Sequence, residues 1–201
     1  MKKLGEIAIE MYYGLTAKAV EQPTGMKMVR TTDIKETYSV DWNSLPYCEI
    51  TDNRHVNIQK YLLRKNDLLV SRSGTTGMSV LVDRDFDDVI FGSYLIKVRV
   101  NELVAYPKYV HYYMQSQYYW NQILPRQAGS TLKNISLPIL KNIIVPLPPM
   151  NEQMRITEIL LTIDKAIELY HEKKVRFERL KRGLMDLLLT GKVRVRIKPA
   201  S

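Results

Sequence analysis

A proline cluster, Pro146-Leu147-Pro148-Pro149, opens onto a long proline-free stretch, and this boundary constrains the fold more than any other feature. From about Asn151 to Leu189 the pattern is helical. Ile156, Leu160, Ile163, Ile167 and Tyr170 recur at alternating steps of four and three, and Phe177, Leu184 and Leu188 continue the series. An apolar stripe of that period is the mark of a helix that packs lengthwise against another helix. At ~1.5 Å per residue it would run roughly 58 Å, longer than an ordinary core helix. Asn151 is a candidate N-cap, Glu152 lies where the helix dipole favours a carboxylate, and Gly191 is a candidate C-terminal stop. Lys174 and Lys181 fall on the stripe, while Leu180 and Leu187 lie beside it. The seam therefore drifts, which weakens a simple dimeric zipper and leaves open a helix packed along its own domain.

The chain accordingly divides into a head at residues 1–148, a helical region at 149–191 and a basic tail at 192–201. The tail residues Lys192 to Ile197 alternate strictly and are expected to form a short edge strand or to fray. Charge is positive in both main parts. Residues 1–148 hold 18 Lys/Arg against 14 Asp/Glu, residues 149–201 hold 12 against 7, and the net charge is +9. A basic balance of this size suits a polyanionic partner such as nucleic acid. Cys48 is the only cysteine, which excludes an intrachain disulfide and argues against a thiolate metal site. Glu6 and Glu10 interrupt any signal-peptide core, and no run reaches the ~18 apolar residues of a membrane span. A cytoplasmic protein is expected.

Within the head, Leu4, Ile7, Ala8 and Met11 have helical spacing that ends at Gly14. Strands are predicted at Met26–Thr32, Val56–Leu63, Asp67–Ser71, Met78–Val82 and Val89–Val100, with a helix over Pro107–Ile123. Leu132–Leu147, broken by Pro138 and Pro146, reads as edge strands and turns. The fold class is α+β, an irregular mixed α/β head followed by a long coiled-coil-forming helix.

Three segments place an arginine beside hydroxyl or amide side chains: Arg30-Thr31-Thr32-Asp33, Arg72-Ser73-Gly74-Thr75-Thr76-Gly77, and Arg126 to Lys133. Arginine pairs with guanine and glutamine with adenine in the major groove, and hydroxyls and loop N–H groups suit phosphates. Arg30, Thr31, Arg72, Thr75, Arg126, Gln127 and Lys133 are the candidate DNA contacts, each of which could equally serve a solvated loop or a glycine turn. Tyr12, Tyr13, Tyr112, Tyr113, Tyr118, Tyr119 and Trp120 could stack on bases but have the spacing of packing residues. Catalytic signals are absent: there is no P-loop, no GxGxxG and no nucleophile elbow. His55, His111 and His171 lack metal-ligand spacing, and Asp83, Asp85, Asp87 and Asp88 read as a charged turn.

Taken together, these motifs resemble the specificity subunit of type I restriction–modification systems. The family's Pro-Leu-Pro-Pro-x-x-Glu-Gln-x-x-Ile signature stands here as Pro146 to Ile156 with Glu152 and Gln153 in place. The helix ends in Gly183-Leu184-Met185 and Leu188-Leu189-Thr190-Gly191-Lys192, and Leu4-Gly5-Glu6-Ile7, Asn66-Asp67-Leu68-Leu69, Arg72-Ser73-Gly74 and Gly129-Ser130-Thr131 follow the family's order upstream. The resemblance implies a non-catalytic subunit that reads double-stranded DNA through a target recognition domain. It also implies a methyltransferase partner carrying S-adenosylmethionine, no cofactor in this chain, and a restriction subunit in complete systems. Full-length members resemble two recognition domains alternating with two helical regions. One of each is found here, so a half-length form pairing as a homodimer through Ile156, Leu160, Ile163, Ile167, Tyr170, Phe177, Leu184 and Leu188 is expected. The alternative is a homodimeric transcriptional regulator without an enzyme partner, although no helix-turn-helix pattern is evident.

Overall fold

The computed structural model describes residues 1–50, 57–127 and 134–196, with the side chains of Arg126 and Gln127 left out. In chain order the elements are β1 (Lys2–Lys3), α1 (Leu4–Ile7), β2 (Ala8–Tyr13), β3 (Ala17–Val20), β4 (Lys27–Val29), β5 (Tyr47–Ile50), β6 (Leu68–Ser71), β7 (Ser79–Leu81), β8 (Val89–Phe91), β9 (Leu95–Val100), α2 (Pro107–Tyr113), α3 (Gln117–Gln127), α4 (Leu137–Lys141), β10 (Ile144–Val145) and α5 (Met150–Leu188). Contacts group Met1–Thr157 as one compact unit and Glu158–Ser201 as a second.

Two four-stranded sheets build the head. The first, β2-β9-β6-β7, is antiparallel; the second, β3-β5-β4-β8, is antiparallel except where β4 runs parallel to β8. Strand β6 explains the layering. All four of its residues are buried, with Leu68 and Val70 in a cluster containing Tyr109, Val110 and Tyr119 of α2 and α3, while Leu69 joins Val29, Val89 and Phe91 of the second sheet. Side chains alternate across a strand, so a strand apolar on both sides must be covered on both. The order is helices, first sheet, second sheet.

The chain passes between the sheets at Gly14, whose amide donates to Leu95 O at 3.1 Å while Leu15 N donates to Phe91 O at 3.0 Å. A Cβ at Gly14 would lie 2.2 Å from the Phe91 carbonyl oxygen. Glycine is required there for close approach of backbone to backbone.

Several sequence expectations are corrected. The spacing of Leu4, Ile7 and Met11 yields only one helical turn before β2 begins, since the sheet claims Met11. The expected strand at Val56–Leu63 is a 3-10 turn over Ile58–Tyr61, capped where Asn57 Oδ1 accepts from Gln59 N at 3.1 Å; Val56 itself lies outside the described residues. Val89–Val100 is two strands in different sheets, separated at Gly92–Tyr94. Pro107–Ile123 is likewise two helices: Ser116 Oγ donates to Tyr113 O at 2.7 Å and accepts from Tyr119 N at 3.4 Å, ending α2 and starting α3. The region after Leu132 supplies a short helix, α4, and a two-residue strand rather than several edge strands. Strand β5 was not anticipated.

Helix α5 is 39 residues long. Its first turn is closed by the Pro149 carbonyl, which accepts from Glu152 N at 2.9 Å and Gln153 N at 3.0 Å, so Asn151 lies inside the helix and is not its cap. Gly191 ends the helix as expected, at φ +73° with its amide on Leu188 O at 3.2 Å. The tail residues Lys192–Arg196 form no strand, and Ile197 lies outside the described residues.

Candidate nucleic-acid interface

The turn between β6 and β7 is shaped by two glycines at positive φ, Gly74 at +75° and Gly77 at +94°. Gly77 N donates to Ser71 O at 2.8 Å, and Ser71 Oγ donates to Ser73 O at 2.8 Å, so the turn is fastened from inside. Thr75 Oγ1 reaches across to Thr31 O at 3.4 Å, joining this turn to the short 3-10 segment Thr31–Asp33 that follows β4. Arg72 N donates to Tyr94 O at 2.9 Å, which adds the β8–β9 turn. The structure thus brings Arg30, Thr31, Arg72 and Thr75 into one neighbourhood, Thr31 and Thr75 meeting across 44 residues of chain. Arg126 and Gln127 end α3 with side chains outside the described set, and Lys133 lies outside the described residues.

A cavity of about 400 Å³ opens here, lined in part by Ala17, Arg30, Thr31, Thr32, Ser93 and Tyr94. Tyr94 is exposed over 62% of its surface. It sits on a turn that the single expected strand Val89–Val100 concealed, so no sequence signal singled it out.

The two arginines are held differently. Arg72 lays its guanidinium 4.5 Å from the centre of the Tyr13 ring, and its buried Nε has no hydrogen-bond partner among the described residues. Tyr13 is fixed in turn by accepting from Leu137 N at 2.8 Å. Arg30 is gripped by Asp33, which accepts from Arg30 Nε at 3.1 Å, Nη2 at 2.9 Å and the backbone N at 2.8 Å. These hydrogen bonds raise the pKa of the guanidinium above its usual value against the opposing effect of burial. Asp33 is not among the residues that composition and motif single out; its Arg-x-x-Asp spacing from Arg30 is the sequence signal for this support.

Other sequence candidates have structural explanations. Tyr113 and Tyr119 are buried and Trp120 packs against the core, whereas Tyr118 is exposed over 80% of its surface. His111 is buried with Nδ1 3.3 Å from Ser79 Oγ, and His55 lies outside the described residues. Asp85 accepts from Lys65 N at 2.9 Å and Asp87 pairs with Arg64 at 3.2 Å, as a charged turn should. Among the described residues no His/Cys/Asp/Glu group could hold a metal, and no helix is long and apolar enough to cross a membrane.

Along α5, Ile156 packs against the core of the head and Leu160 is half-buried. Ile163, Ile167, Tyr170, Phe177, Leu184 and Leu188 are exposed over 41–69% of their surfaces. So long a row of exposed large apolar side chains is unusual on a protein surface.

Comparison with known proteins agrees with this architecture. Residues 1–179 match the type I restriction modification DNA specificity domain. The type I restriction enzyme MjaVIII specificity subunit of Methanocaldococcus jannaschii is 36% identical over 89 residues, covering 44% of this chain and 21% of that protein. The EcoBI specificity subunit of Escherichia coli is 22% identical over 185 residues, covering 90% of this chain and 38% of that one. Among solved structures, a chain from a type I R-M system superposes with a TM-score of 0.64 at 19% identity, covering 92% of this chain and 44% of that chain. The HsdS subunit of Thermoanaerobacter tengcongensis gives 0.59 at 18% identity, covering 92% and 43%. The chain therefore spans less than half the length of these relatives. With the matched domain covering the whole head and most of α5, the chain belongs to the type I restriction–modification DNA specificity family.

Proposed function

We propose that this chain is a non-catalytic DNA sequence-specificity subunit, reading one half-site of a bipartite duplex target and recruiting a methyltransferase subunit. The observation that carries the reading is the family match over residues 1–179, to which the head contributes an arginine–threonine surface and α5 an exposed apolar row. The methyltransferase would bring S-adenosylmethionine and the chemistry, a restriction subunit could join the assembly, and the complex would act in the cytoplasm. The alternative of a homodimeric regulator draws no support from these relatives.

Two copies pairing through Ile163, Ile167, Tyr170, Phe177, Leu184 and Leu188 would cover that row. A symmetric pair then reads an inverted repeat, because identical heads meet the DNA in opposed orientations. The test is methylation of duplex DNA by the chain together with its methyltransferase. A palindromic bipartite target with a fixed gap is expected. Changing the gap by two base pairs rotates one half-site by about 70° at ~10.5 base pairs per turn, and methylation should collapse. Methylation by the enzyme subunit alone, or indifference to gap length, overturns the reading.

A further inference from the structure

Resting on the DNA-reading proposal above, we infer that Arg30 is a guanine reader held in register by Asp33 and is not a phosphate contact. A guanidinium has five N–H donors in a flat fork. Asp33 takes the side edge, Nε at 3.1 Å and Nη2 at 2.9 Å. What remains is the end edge, both Nη1 hydrogens and the outer Nη2 hydrogen, with no other partner among the described residues. Two parallel donors at the end of a fork match the O6 and N7 acceptors of guanine in the major groove.

Three further observations favour base over phosphate. The pair has no net charge, so its long-range pull on a polyanion is weak. The same carboxylate also accepts from the Arg30 backbone N at 2.8 Å, fixing both ends of the side chain; flexible arginines lose more freedom on binding. Finally, 43% of the Arg30 side chain is exposed against 16% of Asp33, so the fork can reach a base edge while its support stays covered. Arg30 lies at the cavity lined by Thr31, Thr32 and Tyr94, where hydroxyls are available to neighbouring groups. Asp33 is on this account a positioning residue: it sets which edge of the guanidinium is offered.

The experiment uses the full chain with its methyltransferase, selecting bound or methylated sequences from randomised duplexes and measuring affinity for the selected target across salt concentrations. The wild-type complex should select a guanine at one position in each half-site. Arg30→Lys keeps the charge but not the fork, and should lower discrimination for that guanine by roughly 5- to 150-fold while leaving the other positions alone. Asp33→Asn should relax the same position only. Removing the pair together, Arg30→Ala with Asp33→Ala, should leave the slope of log affinity against log salt nearly unchanged, whereas loss of a phosphate contact reduces it by about 0.9. Circular dichroism of each variant checks the fold, and Arg30→Lys, which keeps a donor and a charge, serves if Asp33→Asn unfolds. An unchanged selected sequence in Arg30→Lys, or a salt slope that drops by about 0.9 in the double Arg30→Ala, Asp33→Ala variant, overturns the inference and leaves the specificity role standing. If the wild-type complex selects no common sequence, the specificity role itself fails.

Discussion

Gln153 Oε1 accepts a hydrogen bond from Tyr106 N at 2.9 Å. The same side chain donates from Nε2 to Pro148 O at 2.9 Å and Val104 O at 3.2 Å, and it is 1% exposed. One amide thus satisfies three main-chain groups around the start of α5. Gln153→Leu should leave the Tyr106 N–H and two carbonyls unpaired, at ~1–3 kcal/mol for each group that water cannot reach. Denaturant unfolding should show a loss of at least about 2 kcal/mol, whereas Asn151→Leu, on an exposed part of the same turn, should cost within about 0.5 kcal/mol.

Gly77 and Gly74 share a turn but not a sensitivity. A Cβ on Gly77 would meet Trp120 Cζ3 at 3.0 Å and Ile123 Cγ2 at 3.1 Å, whereas a Cβ on Gly74 has only Thr31 Oγ1, at 3.8 Å. Both positions have positive φ, so alanine is strained at each by about 1–2 kcal/mol. Gly77→Ala adds a clash with the core and should lower the melting temperature clearly more than Gly74→Ala. Equal losses in thermal unfolding would show that Trp120 moves aside freely.

Tyr119 is fully buried and donates to Gly77 O at 2.9 Å. Burial pushes its phenol far above the ordinary tyrosine value, with Tyr38 and Tyr113 adding to the rise. Folding favours the protonated form, so its contribution is complete below about pH 10 and declines above that, where the unfolded tyrosine ionises. The slope from this one group is ~1.4 kcal/mol per pH unit. Lys97 acts in the same sense. Burial would lower its ammonium, but the Tyr12 hydroxyl and the Asp67 and Glu10 carboxylates hold it above the usual lysine value, so its contribution too is lost as pH rises past that value. Urea midpoints measured between pH 9 and 11 should fall steeply in the wild type, and less steeply in Tyr119→Phe.

Replacing Ile163 and Ile167 together with Asp puts two carboxylates into the row that the proposed pairing would bury. Unpaired charges in an apolar interface cost several kcal/mol, far more than on an exposed helix face. Sedimentation should find the variant monomeric at concentrations where the wild type associates, with the near-ultraviolet circular dichroism of the head unchanged. A wild type that stays monomeric even with its methyltransferase present would remove the dimer from the proposed assembly.

The long helix was legible because its evidence is local: a period, a proline boundary and a terminal glycine all lie within the segment itself. Gln153 shows the limit. Its place in the Pro146–Ile156 motif was readable, but its purpose depends on Val104 and Tyr106, nearly fifty residues upstream. Strand β5 was missed because Tyr47–Ile50 is a short run defined by its pairing with β3 and β4, not by a strong internal pattern. The split of Val89–Val100 was hidden for a related reason. Both halves are β-prone, and only Gly92 marks the turn that sends Phe91 and Leu95 to different sheets. At the candidate interface each arginine segment was visible, whereas the convergence of the Arg30 and Arg72 segments through Thr75 and Thr31 is a product of topology. The support of Arg30 by Asp33 lay in the sequence as a spacing, but a spacing does not say which edge of a guanidinium is occupied.

Strand β1 pairs with β10, Lys2 opposite Val145 and Lys3 opposite Ile144. Leu4 N also donates to Ile143 O at 2.7 Å. Strand β1 is therefore made long before the strand it pairs with. At roughly 5–20 residues per second, a ribosome takes about 7 to 30 s to go from Lys3 to Ile144. Throughout that interval the edge that will receive β10 is open, and Leu4 and Ile7, fully buried at the end, lack part of their cover. Birth of the head thus has a waiting period written into its topology, and the cell must keep β1 from other company until the chain returns to close the pair.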